Sequence, residues 1–361
     1  MTDFHPPAID FAQRLIAWQK THGRHDLPWQ NTRDPYAIWV SEIMLQQTQV
    51  SAVISYYRRF MSRFPDIAAL AGASEDHVLE HWSGLGYYSR ARNLHAAAKQ
   101  VMSLHEGRFP QQVELIEALP GIGRSTAAAI ASFAFGQRHA ILDGNVKRVL
   151  ARCFGIDGWP GQPAVEKRMW LLAESLLPEA DMEAYTQGIM DLGATLCSRS
   201  KPACPACPYV DACVAHAESR VTELPTPKPR KTIPQKKTVM LLLLSGNEIL
   251  LEKRPPTGIW GGLWSLPEIE VEADPLHAVR QRFGIDEAAL STALPPFSHT
   301  FSHFRLEITP QPLRVRKPFG AGEHGRVWLA IEDALGAALP APVRRILDDF
   351  VLKKPLNFVG N

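Results

Sequence analysis

The chain is 361 residues long, 45% hydrophobic and 21% charged, with a formal net charge of +2. That balance excludes a disordered or fibrous protein, and a prior of ~150 residues per domain predicts two or three domains. The small net charge leaves a nucleic-acid ligand open but confines any basic surface to a local patch. The most apolar run, Val239–Leu244, is far below the ~20 residues of a membrane span. The opening Met1-Thr2-Asp3-Phe4-His5-Pro6-Pro7 lacks the basic and apolar stretches of a secretory leader. The expectation is a cytoplasmic protein with no membrane partner.

Up to about Glu218 the apolar spacing is helical. Ile43, Val50, Ile54, Tyr57, Met61 and Phe64 fall on one stripe and predict one helix, and similar stretches run through Leu94–Leu104, Ser125–Phe135 and Ala164–Leu177. Phe64-Pro65-Asp66, Gly107–Pro110 and Gly158–Gly161 read as connections. Residues 1–219 therefore form an all-helical domain. Residues 220–237 carry four prolines among lysines and arginines, which predicts an extended, solvated linker with phosphate contact as a second role. Residues 238–361 change texture. Val239–Leu244, a Ser245-Gly246-Asn247-Glu248 turn and Ile249–Leu251 predict a β-hairpin. Phe304–Ile308 and Val327–Ile331 predict further strands, and Leu276–Phe283 and Val343–Leu352 predict helices, so this domain mixes the two.

Cys197, Cys204, Cys207 and Cys213 are spaced C-x6-C-x2-C-x5-C. Four soft thiolates in one proline-bent loop suit a structural metal, and the spacing by itself leaves zinc and iron–sulfur both open. Cys153, the fifth cysteine, reads as a buried thiol.

Between two helical stretches lies Leu119-Pro120-Gly121-Ile122-Gly123-Arg124-Ser125-Thr126. Glycines two apart admit close backbone approach, and the helix that follows presents N–H groups to a phosphate. A tight interhelical turn is the plainer reading of Gly-x-Gly, so the signal is weak by itself. A second loop, Gly84–Arg92, sets Tyr87 and Tyr88 among glycines and arginines, as suits contact with nucleotides. Asp143, in Leu142-Asp143-Gly144-Asn145-Val146, stands where a helix N-cap is the commonest use of aspartate.

The glycine hairpin, an aspartate twenty residues after its second glycine, and the four-cysteine loop occur in this order. Over about residues 20–215 this combination resembles the helix–hairpin–helix DNA glycosylases of the endonuclease III superfamily. The resemblance implies one 4Fe–4S cluster on the four cysteines. It implies a multidomain fold, all-α with the cluster loop and joined to the C-terminal α+β domain. Pyrimidine-specific relatives carry a strand-cleaving lysine where this chain has Ser125, which cannot form a Schiff base. Trp39–Val50, Gly84–Arg92 and Leu142–Val146 resemble instead the adenine-specific branch.

That branch implies hydrolysis of adenine from A·8-oxoguanine or A·G pairs in duplex DNA. Glu42, among apolar Trp39, Val40, Ile43 and Met44, would be held protonated by burial and would act as general acid at adenine N7. Asp143 would stay ionised and oppose the oxocarbenium ion, with Asn145 bonding to it or to the sugar. Arg24, Gln187 and Ser125 fall to the base pocket, and Gln47 and Tyr87 to extrusion of the base. Gly121, Gly123 and Arg124 fall to the DNA backbone.

The second domain opens with the G-x5-E of a Nudix box, Gly262 to Glu268, but Gln281-Arg282 stand where its metal-binding glutamates belong. A Nudix-like fold without magnesium-dependent chemistry is expected. The resemblance gives Phe301, Ser302 and His303 the recognition of 8-oxoguanine, whose N7–H replaces the acceptor of guanine. It also implies a monomer that meets a sliding clamp and an abasic-site endonuclease. The competing readings are a pyrimidine- or thymine-mismatch glycosylase of the same superfamily and a nucleotide pyrophosphohydrolase acting through the second domain.

Overall fold

The computed structural model describes residues 8–229, 233–301, 303–317 and 325–352. In chain order the helices are α1 (Ala8–His22), α2 (Pro35–Leu45), α3 (Val50–Arg63), α4 (Ile67–Gly72), α5 (Glu75–Trp82), α6 (Ser89–Leu104), α7 (Val113–Glu117), α8 (Arg124–Phe135), α9 (Gly144–Cys153), α10 (Pro163–Ser175), α11 (Met182–Asp191) and α12 (Val214–Ala217). A π-helical turn over Leu192–Leu196 follows α11 without a break. Beyond them come β1 (Gln235–Ser245), β2 (Glu248–Lys253), β3 (Trp264–Ser265), β4 (Glu268–Ile269), α13 (Pro275–Phe283), β5 (Ala288–Leu290), β6 (Phe297–Thr300), β7 (Arg305–Val315), β8 (Arg326–Ala330), α14 (Ile331–Gly336) and α15 (Ala341–Leu352).

Two compact units result: residues 1–72 with 93–230, and residues 73–92 with 231–361. A cut at the proline-rich segment thus divides them except for 73–92. That segment is tied into the second unit by Tyr88 Oη donating to the Leu339 carbonyl at 3.0 Å, Lys253 against Asp76 at 2.5 Å and Arg344 donating to Ser83 Oγ at 3.1 Å.

In the first unit the predicted single helix over 43–64 is two helices. α2 stops at Leu45, Gln47 takes a left-handed φ of +58°, and α3 starts at Val50. Of the predicted stripe, Ile43, Tyr57 and Phe64 are buried, while Val50, Ile54 and Met61 are only half-buried and Val53 and Phe60 complete the buried face of α3. α1, α9 and α11 share a core of Leu15, Val146, Val149, Leu150, Tyr185 and Ile189. The segment expected as a solvated linker is docked on this unit at its start. Leu224 is buried, its carbonyl accepts from Arg152 Nε at 2.9 Å, and Thr226 Oγ1 accepts from the Gly158 amide at 3.1 Å. A buried guanidinium needs carbonyl acceptors, and the linker supplies one.

In the second unit the strand path is β3-β2-β1-β7-β5, with β8 on β2, β6 on β7 and β4 on β1. β1 and β7 run parallel, from Gln235 opposite Arg305 to Leu244 opposite Arg314. The β1–β2 turn places Gly246 at φ +60°, the first central position of a tight hairpin where glycine avoids a Cβ clash. β1 alternates between two cores. Met240 and Leu242 pack with Ile331, Val343 and Leu347, while Leu241 and Leu243 pack with Val279 and Leu313. Burial on both faces accounts for the unbroken apolar run. β7 outruns the predicted strand by passing through Pro310 and Pro312. Their carbonyls accept from the Leu294 and Ser291 amides, and Gln311 Nε2 donates to the Ser291 carbonyl at 2.6 Å, an acceptor that a proline nitrogen cannot serve.

Candidate active site and cysteine loop

Glu42 projects from α2, whose residues Trp39, Val40, Ile43 and Met44 are all buried. Asp34 caps the helix by accepting from the Tyr36 amide at 3.0 Å, and Pro35 starts it. The half-buried Glu42 lines a cavity of about 480 Å³ with Trp29, Gln30, Ile38, Phe133 and Gln187. This volume lies within the range of small-molecule sites and suits a single nucleobase. Among the described residues the Glu42 carboxylate accepts no hydrogen bond. Burial first, then the nearby charge of Asp143, pushes its pKa up from 4.5 to about 7.

Asp143 caps α9, its Oδ1 accepting from the Val146 amide at 2.8 Å. The structural role that the sequence suggests for this aspartate is therefore real, and it leaves Oδ2 to Asn145, which donates from Nδ2 at 3.4 Å. Burial raises the Asp143 pKa, while the Val146 and Asn145 amides and the charge of Arg148 pull it down. Two carboxyls close enough to interact release their protons as a pair. Asp143 has hydrogen-bond donors around it and Glu42 has none among the described residues, a difference that favours the anion on Asp143 over one on Glu42.

Asp191 and Arg148 complete this arrangement, and sequence reasoning missed both. Asp191 is fully buried and gathers Arg24 and Gln187. It accepts from the Arg24 amide and Nε, each at 2.8 Å, and from Gln187 Nε2 at 2.8 Å. Gln187 and Asp191 are one helical turn apart, a spacing that could have flagged the pair. Arg148 donates to Asn145 Oδ1, the Gly193 carbonyl and the Cys197 carbonyl, each at 2.8 Å. A Cβ on Gly193 would come within 2.7 Å of Asn145 Cβ, so the π-helical turn packs directly on this network.

Other predicted residues lie elsewhere. Ser125 Oγ accepts from the Leu142 amide at 2.9 Å and so holds the segment leading to Asp143; it does not line the cavity beside Glu42. Arg124 pairs with Glu174 and lies 3.9 Å over the Trp170 ring, so it is engaged within the protein. Gly121 and Gly123 are exposed, but only Gly121 needs to be glycine for the fold, with φ +79° and Asn93 Cβ 2.6 Å from where a Cβ would sit. A Cβ on Gly123 would meet open space. Gln47 and Tyr87 are exposed at left-handed φ values of +58° and +49°, strained positions for side chains of their size.

The four cysteines line one cavity with Val149, Leu196 and Val210. Arg152 donates to Cys197 Sγ at 3.4 Å and to the Ser198 carbonyl at 2.8 Å. Cys153 is buried, as expected, and borders the same cavity. Convergent thiols, an apolar wall and a guanidinium beside one sulfur fit a thiolate-bound metal group.

In the second unit, Phe301 is half-buried against Phe304 at 4.5 Å, His299 at 4.7 Å and Trp260 at 5.3 Å between ring centres. His303 is exposed, and Ser302 lies outside the described residues. At the Nudix box, Glu268 pairs with Arg254 at 2.5 Å, and Glu252 with Arg282 at 2.8 Å and Arg326 at 3.1 Å. Guanidinium groups occupy the carboxylates that a hard cation would need.

Comparison with known proteins agrees with this geometry. Residues 40–175 match the HhH-GPD superfamily of base excision DNA repair proteins, and residues 238–349 match the NUDIX domain. The chain superposes on a thermostable thymine-DNA glycosylase with a TM-score of 0.53 and 30% identity, covering 59% of this chain and 97% of that one. An endonuclease III bound to DNA gives 0.51 at 20% identity over 60% of this chain and 99% of that one, which supports the fold alone. The fold and site thus define a helix–hairpin–helix base excision repair protein with a Nudix-like second domain. The chain is 37% identical to the adenine DNA glycosylase of Buchnera aphidicola subsp. Acyrthosiphon pisum over 94% of its own length and 97% of the relative. With that of Homo sapiens it shares 32% identity over 97% of its own length and 76% of the relative. The chain belongs to the adenine DNA glycosylase family.

Proposed function

We propose that this enzyme hydrolyses the N-glycosidic bond of adenine paired with 8-oxoguanine or guanine in duplex DNA, leaving an abasic site. The observation that carries the mechanism is a carboxyl with a pKa pushed up to about 7 on the wall of a nucleobase-sized cavity, within range of a hydrogen-bonded aspartate. The adenine leaves the duplex and enters the cavity. Glu42 donates its proton to N7, so the purine departs neutral rather than as an anion. The C1′–N9 electron pair leaves with the base, and Asp143 stabilises the positive charge that develops on the sugar. Water adds at C1′ and its proton returns to the Glu42 carboxylate, which completes the hydrolysis. Asn145 and Arg148 orient Asp143, and Asp191 holds Arg24 and Gln187 at the base. Ser125 offers no amine, so strand cleavage is absent or weak.

Cys197, Cys204, Cys207 and Cys213 hold a 4Fe–4S cluster in this reading. When bound, it cross-links the loop that carries the Cys197 carbonyl to which Arg148 donates. The second unit reads 8-oxoguanine through the loop of Phe301, Ser302 and His303, with Phe301 anchoring it by stacking. A sliding clamp and an abasic-site endonuclease are the protein partners the family resemblance implies.

A glycosylase assay on an A·8-oxoguanine duplex, with alkali added afterwards, tests the proposal. Adenine release with breaks only after alkali supports it. Thymine release from a G·T duplex with none from A·8-oxoguanine overturns it. The adenine DNA glycosylase of Buchnera aphidicola subsp. Acyrthosiphon pisum matches 94% of the chain, against 59% for the thymine-DNA glycosylase structure.

A further inference from the structure

We propose that His77, Glu80 and His81 on α5 form a binding site for a divalent ion of the zinc class, separate from both the cysteine loop and the base-release site. The three residues occupy positions i, i+3 and i+4 of one helix, and one ligand atom from each lies within 4.8 Å of the others. That spacing places all three on one face. The opposite face holds the helix rigidly, because Val78, Leu79 and Trp82 are completely buried. Ser74 caps the first turn by accepting from the His77 amide at 3.3 Å. The ligand set therefore stands on a fixed backbone, with Glu80 exposed and the two imidazoles half-buried.

One ring is already oriented for coordination. His81 Nδ1 lies 2.9 Å from the His77 carbonyl, which can only accept, so Nδ1 carries the proton and Nε2 keeps its lone pair. Ligating histidines commonly use this arrangement, with the second ring nitrogen donating to a carbonyl. The two rings lie edge to face with centres 4.8 Å apart. Ligands about 2.1 Å from a tetrahedral ion are roughly 3.4 Å from one another, so side-chain rotation has to draw the three ligand atoms closer to close the set. Two imidazoles and one carboxylate select zinc, copper, nickel or cobalt over magnesium and calcium, and water fills the remaining positions. A bound ion would bridge the first and last turns of α5, the helix leading into the loop of Tyr87 and Tyr88.

Titration calorimetry of the cluster-loaded full chain with zinc chloride tests this site. His77→Ala and His81→Ala are each expected to weaken zinc binding by about tenfold or more. The cluster's visible absorbance and the circular dichroism should stay unchanged. Equal zinc binding by the wild type and the His77→Ala/His81→Ala double variant overturns the proposal. Should the variants fold poorly, anomalous scattering at the zinc edge from zinc-soaked wild-type crystals decides. A peak between the three side chains supports the site, and its absence there refutes it.

Discussion

Arg148 donates from Nε to the carbonyl of Cys197 at 2.8 Å while its Nη2 donates to Asn145 Oδ1 at the same distance. One guanidinium thus joins the first residue of the cysteine loop to the amide that orients Asp143. Replacing it with Arg148→Gln removes that fork and leaves Asn145 free to rotate. Single-turnover adenine release is expected to fall by about 10²-fold, with duplex binding much less affected. Stopped base-release assays beside gel-shift titrations separate the two effects.

Asp143→Asn separates the cap from the charge. Asparagine caps helices as well as aspartate does, so α9 and the thermal midpoint should change little. The charge facing the sugar is lost, and adenine release should fall below detection while lesion duplexes are still retained. Normal turnover by this variant would remove Asp143 from the mechanism.

Glu42 makes both rate and stability depend on pH. Its pKa lies at about 7 in the folded chain against an ordinary 4.5. The folded state therefore holds an extra proton between these values. Its stabilising contribution is complete below about 4.5 and drains away as the pH rises through about 7. Above that pH, base release should fall about tenfold per unit as the acid is lost. Glu42→Gln should be inactive. At pH 8 it should also be more stable than the wild type, by on the order of 2–3 kcal/mol, because no charge need be buried. Denaturant melts at pH 5 and pH 8 show whether the gap opens in that direction.

The two hairpin glycines should behave differently. Gly121→Ala forces a side chain into a left-handed backbone and against Asn93, with an expected cost of about 1–3 kcal/mol. Gly123→Ala meets nothing in the protein, so its thermal midpoint should hold while its affinity for duplex DNA falls. Differential scanning and binding titrations on the same two variants read both outcomes.

Magnesium should leave the second unit unaffected. With Glu252 and Glu268 engaged by Arg282, Arg326 and Arg254, millimolar magnesium should neither raise the thermal midpoint nor promote hydrolysis of a damaged nucleoside triphosphate. Phosphate release would revive the pyrophosphohydrolase reading.

Much of this protein was legible in residue order because its signals are local. Cysteine spacing, the glycine pair before a helix, the apolar periodicity and the arginine in place of a Nudix glutamate all lie within short windows. The α2–α3 break at Gln47 was not, since apolar residues recurring at three- and four-residue steps do not mark where one helix stops and the next begins. β7 was read too short because Pro310 and Pro312 interrupt a strand pattern in the sequence, whereas in the fold a distant segment donates to their carbonyls and Gln311 serves the Ser291 carbonyl. The pairing of Glu42 with Asp143, the buried Asp191 that gathers Arg24 and Gln187, and the reach of Arg148 to Cys197 join residues far apart in the chain. Only the tertiary structure decides such pairs. Burial and proximity set which carboxyl holds the proton, and both belong to the packed fold rather than to any stretch of chain.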